Sequence, residues 1–262
     1  MIVQSIGNKV YLKSELLQKE EGLVHFFTTK KGGYSNGAIK GLNLGFRVFD
    51  KYEYVRDNYL EISNDFSVPF DKITAAKQTH SKDIRIIREK DAGCGVSRLG
   101  ETFEADGLIT DLSGVPIMVF YADCVPILMA DTKKGVIAAV HSGWRGTEKK
   151  IVQNAVSIMV NEFGADPRDI KAAIGPSIGA CCFETGSEVA ELFEDEFKKP
   201  HKNGKFKVDL WSKNKQMLKD MGVPEENIEV LGICTVCRSD LLYSYRTHGE
   251  QTGRMGAVIM LK

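Results

Sequence analysis

The sequence has no surplus of either charge: 35 Lys and Arg face 35 Asp and Glu among 262 residues. Proteins that grip duplex nucleic acid usually carry a basic excess to neutralise phosphates. No nucleic-acid partner is therefore expected, although a local basic pocket is not excluded. Long apolar runs are missing too. The greasiest stretch, residues 115–130, is interrupted by Pro116, Asp123 and Pro126, while a membrane helix needs roughly 20 mostly apolar residues. It reads as buried core, and no membrane partner is expected. The first residues, from Met1 to Lys9, lack the basic start and long apolar centre of a secretory signal, so a cytoplasmic protein is expected. Six cysteines are too sparse for a disulfide scaffold; they are expected to be reduced thiols, free for packing, metal or catalysis. Histidine is scarcer still, with only His25, His80, His141, His201 and His248. Repeats, low-complexity tracts and Pro/Gly/Ser-rich linkers are absent as well, and residues 1–262 read as one domain.

What is present is a mixture of strand and helix signals. Residues 2–5 and 9–12, around Gly7-Asn8, read as a hairpin, and residues 23–29 as a strand ending in the turn Lys30-Lys31-Gly32-Gly33. Val55, Leu60, Ile62 and Phe66 give residues 52–66 a helical period. Residues 115–122, 125–130 and 135–140 read as buried strands, interrupted at Asp123-Cys124 and stopping at His141. The clearest helix follows, with Thr147 as its cap, Glu148 in the first turn, an apolar face from Ile151 to Phe163 and Gly164 as its stop. A strand at 170–174, helices near 187–197 and 210–221, and strands at 228–233 and 255–261 complete the chain. Strands and helices alternate only in part, which favours α+β over a doubly wound sheet.

Three ligand-type side chains fall where strands end: His80 in Gln78-Thr79-His80, Cys124 in Ala122-Asp123-Cys124-Val125-Pro126, and His141 in His141-Ser142-Gly143-Trp144-Arg145-Gly146. Their spacing matches no zinc finger, but ligands gathered from several strand ends need not be neighbours in sequence. Two imidazoles and a thiolate leave a tetrahedral zinc one open position, as a catalytic zinc requires. A water held there loses its proton near neutral pH. Spacing alone leaves the alternative of a packed thiol and two unrelated histidines. Cys234-Thr235-Val236-Cys237 is a further pair, but a structural zinc site needs two more ligands, which Cys181-Cys182 would have to supply. Buried strand-end thiols are the expectation there. Arg145 lies at the mouth of the helix between Gly143 and Gly146, where the backbone comes close to a ligand and helix N-termini attract anions.

These motifs, with Gly41-Leu42-Asn43-Leu44-Gly45, Ile174-Gly175-Pro176-Ser177-Ile178 and Thr252-Gly253-Arg254, resemble the YfiH family. That family is also called the multicopper polyphenol oxidase (laccase) family and is linked to purine nucleoside phosphorylases. The likeness runs in order from about Phe26 to the C-terminus. It implies a single α+β domain with mixed sheets layered between helices, and a zinc site made by His80, Cys124 and His141. The implied activities are phosphorolysis of adenosine, inosine and methylthioadenosine, and adenosine deamination. Copper-dependent polyphenol oxidation and an amidohydrolase that edits peptidoglycan nucleotide precursors are alternatives. The implied partners are small molecules, a purine nucleoside and phosphate, met by Arg145, Asn43, Arg246 and Arg254.

This sequence departs from the family pattern in two places. Lys30 stands where the family's glycine-rich turn has arginine, and a lysine meets phosphate as a point charge rather than a fork. Thr247-His248 follows Arg246 where a second arginine is usual. For Asn43 a buried turn-forming role is the equal alternative. Deamination also needs a general acid or base beside the metal, for which Asp123 and Glu184 are candidates by position. In the amidohydrolase alternative Cys124 is the nucleophile and His141 its base. A multicopper oxidase needs many more histidines than remain once His80 and His141 are assigned. Cu2+ is expected only as an adventitious or alternative occupant of the three-ligand site.

Overall fold

Every side chain from Val125 to Asp131 is buried, and so is every one from Val136 to Ser142. Successive strand side chains point to opposite faces, so a run buried throughout requires cover on both sides of its sheet. A computed structural model of the chain, describing residues 1–46 and 48–262, shows what that cover is. The strands are β1 (Ile2–Ile6), β2 (Lys9–Lys13), β3 (Leu23–Thr28), β4 (Thr74–Ala75), β5 (Ile84–Ile86), β6 (Gly107–Thr110), β7 (Ile117–Tyr121) and β8 (Val125–Asp131). They continue with β9 (Val136–Ser142), β10 (Lys171–Ile174), β11 (Glu184–Thr185), β12 (Lys198–Pro200), β13 (Phe206–Val208), β14 (Ile228–Val230) and β15 (Met255–Leu261). The α-helices are α1 (Glu15–Gln18), α2 (Tyr52–Phe66), α3 (Trp144–Glu148), α4 (Ile151–Phe163), α5 (Ser187–Ala190), α6 (Leu210–Asp220) and α7 (Tyr245–His248).

Two mixed six-stranded sheets result, in the orders β1-β2-β3-β15-β7-β4 and β14-β10-β8-β9-β6-β5, beside a small sheet β11-β13-β12. The large sheets face each other. Phe27, Ile117, Ala257 and Ile259 of the first meet Leu108, Leu128, Ala139 and Ala173 of the second. The alternate residues point outwards: Ile127, Met129, Ala138 and Val140 against Val152, Val156 and Met159 of α4 and Met217 of α6. On the far side Phe26, Met118 and Val258 pack under Val55, Tyr59 and Ile62 of α2. The order is helix, sheet, sheet, helices, the α+β layering that the family likeness implies.

Several boundaries differ from the sequence reading. Thr147 does not cap the long helix: α3 starts at Trp144, and the chain breaks at Lys150 (φ 60°) before α4. Thr147 Oγ1 instead shares a buried network with Ser142 Oγ at 2.9 Å and Asn214 Nδ2 at 3.1 Å. The helix read at 187–197 is only α5 and a 3-10 turn at Asp195–Phe197. His141 is not beyond its strand but within the end of β9.

His25 on β3 is buried, and its Nε2 accepts the Ser14 backbone N–H at 3.0 Å. Charging the ring would replace that acceptor with a donor. Burial, reinforced by the Lys13 ammonium, holds His25 down at about 4, against an ordinary 6.5. Protons then bind the unfolded chain first as pH falls from 6.5, and stability drops until about pH 4. Between pH 7 and 5 this one group should remove about 2 kcal/mol. Urea unfolding of His25→Gln, which keeps an acceptor but cannot be protonated, should show a shallower loss over that range. Equal slopes for both proteins would refute the assignment.

Candidate metal centre

Strand register assembles the site. β8 and β9 are antiparallel, with Pro126 opposite His141 and Val125 opposite Ser142, which sets Cys124 at the same edge as His141. β6 runs beside β9 with Gly107 opposite Val140, which brings Asp106 next to His141; the His141 N–H donates to the Asp106 carbonyl at 2.7 Å. His80 arrives on the segment between β4 and β5, itself in a left-handed conformation (φ 59°). One ligand atom from each of His80, Cys124 and His141 lies within 4.8 Å of the others. A tetrahedral zinc with bonds of 2.0–2.3 Å separates its ligands by about 3.5 Å, so the three donors fit one ion. Gly143 keeps the space clear: a Cβ there would stand 2.9 Å from Cys124 Sγ and 3.2 Å from His80 Nδ1.

The sequence reading missed the residue that holds this arrangement, Asp106. Its only signal is an acid immediately before the apolar strand β6. The carboxylate is fully buried and accepts the backbone N–H groups of Thr79 at 3.1 Å, His80 at 3.0 Å and Ser81 at 2.7 Å, and the Ser81 hydroxyl at 2.8 Å. Its Oδ1 also lies 2.8 Å from His141 Nδ1. A carboxylate only accepts, so Nδ1 carries the proton and Nε2 is left free as a ligand. Burial opposes ionisation of Cys124, yet His141 and His80 bring the thiol down to about 6. Burial likewise opposes a charged His141, which Cys124 and Asp106 push up to about 9. Asp106 itself, despite burial, is held well below the usual carboxylate range by His141 and Ser81.

The three ligands line a cavity of about 830 Å³, whose wall also carries Arg145, Arg246 and Arg254. Arg145 is exposed and lies 4.1 Å over the Trp144 ring. Arg246 donates to the carbonyls of Cys182 and Glu184, at 3.4 and 3.1 Å. Arg254 donates to those of Thr252 and Gly253, at 3.0 and 3.1 Å; its charge is disfavoured by burial and supported by Cys124 and Asp123. Asn43 is not among the lining residues. Its amide is engaged inside the fold, accepting the Gly45 and Arg254 N–H groups at 3.0 and 2.8 Å and donating to Asp50 at 2.8 Å. Asp123 does reach the cavity, but Thr235 Oγ1 and the Arg246 N–H occupy its two oxygens, at 2.5 and 2.6 Å. Glu184 faces His201 and Lys207 at 3.3 and 3.7 Å and lies outside the cavity lining.

Residues 24–262 match the family model described as multi-copper polyphenol oxidoreductase laccase. The chain is 34% identical to a purine nucleoside phosphorylase of Bacteroides thetaiotaomicron over 97% of each sequence. It is 35% identical to adenosine deaminase RL5 of an unknown prokaryotic organism, over 92% of this chain and 95% of that protein. The crystal structure of Bacillus licheniformis hypothetical protein YfiH superposes with a TM-score of 0.92 at 30% identity, covering 99% of each chain. The chain belongs to this family.

Within the laccase-domain family the copper label meets a shortage of ligands. His25 is bound to Ser14, and His201 faces Glu184. His248 Nδ1 lies 3.3 Å from the Ser244 carbonyl. Among the described residues, His80, Cys124 and His141 form the cluster of potential ligands that contains histidine.

Replacing Asp106 by Asn removes the acceptor that fixes His141, and an outer partner of this kind is worth roughly 10–100-fold in metal affinity. Zinc competition with a chromophoric chelator should show that loss for Asp106→Asn. Unchanged affinity would contradict the positioning role.

Proposed function

We propose that the protein is a zinc-dependent enzyme of purine nucleosides, acting by phosphorolysis of adenosine, inosine and methylthioadenosine and by deamination of adenosine. One observation carries this reading: two imidazoles, a thiol and three guanidiniums converge on one cavity of about 830 Å³. Its volume falls in the range of small-molecule sites. Phosphorylase and deaminase relatives that align along nearly the whole chain support it.

His80, Cys124 and His141 would hold the zinc, which when bound supplies a Lewis acid that lowers the pKa of water or polarises a substrate atom. The remaining tasks fall to the chain itself. Phe120, Trp144, Phe183 and Tyr245 line the cavity and offer faces to a flat base. Arg145, on the cavity wall and stacked over Trp144, would offer its planar fork to phosphate. Arg246 and Arg254 are fixed by backbone carbonyls and add positive charge to the same wall. In phosphorolysis a phosphate oxygen bonds to ribose C1′ as the C1′–N9 bond breaks, and this cationic wall offsets the charge of the incoming phosphate. In deamination the oxygen of water bonds to C6 and ammonia leaves. Asp123, with both oxygens engaged, positions the turn that carries Cys124, and Asn43 positions Arg254.

A second reading is favoured by one specific feature. Cys124, His141 and Asp106 stand in the order thiol, imidazole, carboxylate, with the thiol lowered to about 6 and the imidazole raised to about 9. That is the electrostatic state of a cysteine nucleophile, as an amidohydrolase on peptidoglycan nucleotide precursors would use. Cu2+ would compete for the same donors as zinc.

Product analysis separates these readings. With adenosine, adenine should appear only when phosphate is present, and inosine should appear without it. Cys124→Ser should lose at least ~100-fold in turnover together with its metal, because serine is a poor zinc ligand. Chelator-stripped protein that stays folded by circular dichroism should be inactive. Should it turn substrate over as fast as the zinc form, or should only a muramoyl-amino-acid nucleotide be cleaved, the thiol-hydrolase reading replaces this one.

A further inference from the structure

Four of the six cysteines lie far from the triad in sequence and meet in space. Cys181 and Cys182 sit on the segment after β10, and Cys234 and Cys237 on the segment after β14. A parallel bridge between Ser177 and Cys234 joins the two segments. All four sulfurs lie within 4.8 Å of one another, with Cys237 Sγ 3.6 Å from Cys181 Sγ and 3.5 Å from Cys182 Sγ. All four are free thiols. The second ligand pair that the Cys234-x-x-Cys237 motif needs is thus present. Buried packing accounts for Cys234 alone, since Cys181 and Cys237 are exposed and Cys182 is half-buried.

We propose that Cys181, Cys182, Cys234 and Cys237 form a second zinc site, with four thiolate ligands and a structural role. Tetrahedral Zn–S bonds of 2.3 Å place the sulfurs about 3.8 Å apart, close to the observed spacings. Four protein ligands leave no open position, which is the coordination of a structural rather than a catalytic zinc. Backbone donors meet one sulfur of the cluster. The Gly179 N–H donates to Cys234 Sγ at 3.4 Å, and the N–H groups of Val236 and Cys237 also face that sulfur. The Arg246 guanidinium is anchored on the Cys182 carbonyl and brings a positive charge beside the cage.

The clamp bears on the cavity. Ile178 and Phe183, on either side of Cys181-Cys182, line it. Thr235, within the Cys-x-x-Cys turn, donates to Asp123, whose carbonyl accepts the Ile178 N–H at 2.8 Å. Asp123 adjoins Cys124 in the chain. The second site therefore fastens the two segments that brace the turn bearing Cys124.

Metal counting on the full chain, grown with zinc and measured by mass spectrometry, tests this. Wild type should hold two zinc ions per chain, the Cys181→Ser/Cys237→Ser variant one, and Cys124→Ser one. The first variant changes exposed thiols, so its fold should persist. A count unchanged by Cys181→Ser/Cys237→Ser would overturn the proposal, as would a native mass lighter by two hydrogens with no metal at the cluster, the mark of a disulfide. Failure of the His80–Cys124–His141 reading shows separately, as a count unchanged by Cys124→Ser. Cobalt supplies a measurement without touching the cluster. Cys124→Ser protein loaded with Co2+ should still show intense thiolate-to-cobalt charge-transfer bands, and their absence would contradict the site.

Discussion

One buried carboxylate organises the candidate centre. Asp106 accepts three consecutive backbone N–H groups and the proton on His141 Nδ1, and each bond to an ionised acceptor is stronger than a neutral one. Burying that charge without partners would be prohibitive; with these donors it becomes a fixed anion to which the segment bearing His80 and the strand end bearing His141 are both tied. The left-handed conformation of His80 persists because its own N–H is one of the bonded groups. Loss of the carboxylate would release two ligands at once.

The rest of the fold makes that anion possible. Sheets covered on both sides fix β6, β8 and β9 in register, and the register alone places Asp106, Cys124 and His141 at one edge. Alanines at 139, 173 and 257 keep the facing layers thin and close. Chemistry then occupies the strand ends, where chain direction changes and backbone groups are available. Arg246 and Arg254 come from the C-terminal part of the chain and are held by carbonyls at the cavity wall, while Arg145 follows His141 and stacks on Trp144. Cationic wall and metal ligands thereby share one space without competing for the same partners.

Legibility in the sequence followed the range of the interactions. Buried strands and the helices at 52–66 and 210–220 were readable because period and burial are local patterns. The metal ligands were readable as residue types at strand ends, and their grouping rested on a likeness of motifs. Asp106 was not readable: its importance comes from lying beside His141 across β6 and β9, and no local pattern encodes that pairing. The four-cysteine grouping was named in the sequence and set aside in favour of buried thiols for the same reason, since it depends on the bridge between Ser177 and Cys234. Thr147 looked like a cap because the left-handed Lys150, which splits the helix, carries no glycine to announce it. Asn43 and Glu184 matched motif positions, yet one serves the interior and the other faces the small sheet.

The central claim is that Asp106 fixes the tautomer of His141, leaving Nε2 to bind metal. Long-range 1H–15N correlation spectroscopy of the imidazoles in the zinc-loaded protein reads this directly. The expected spectrum for His141 has its proton on Nδ1 and an unprotonated, metal-shifted Nε2 that shows scalar coupling when 113Cd replaces zinc. A proton on Nε2, or an Nε2 without coupling to cadmium, would contradict it.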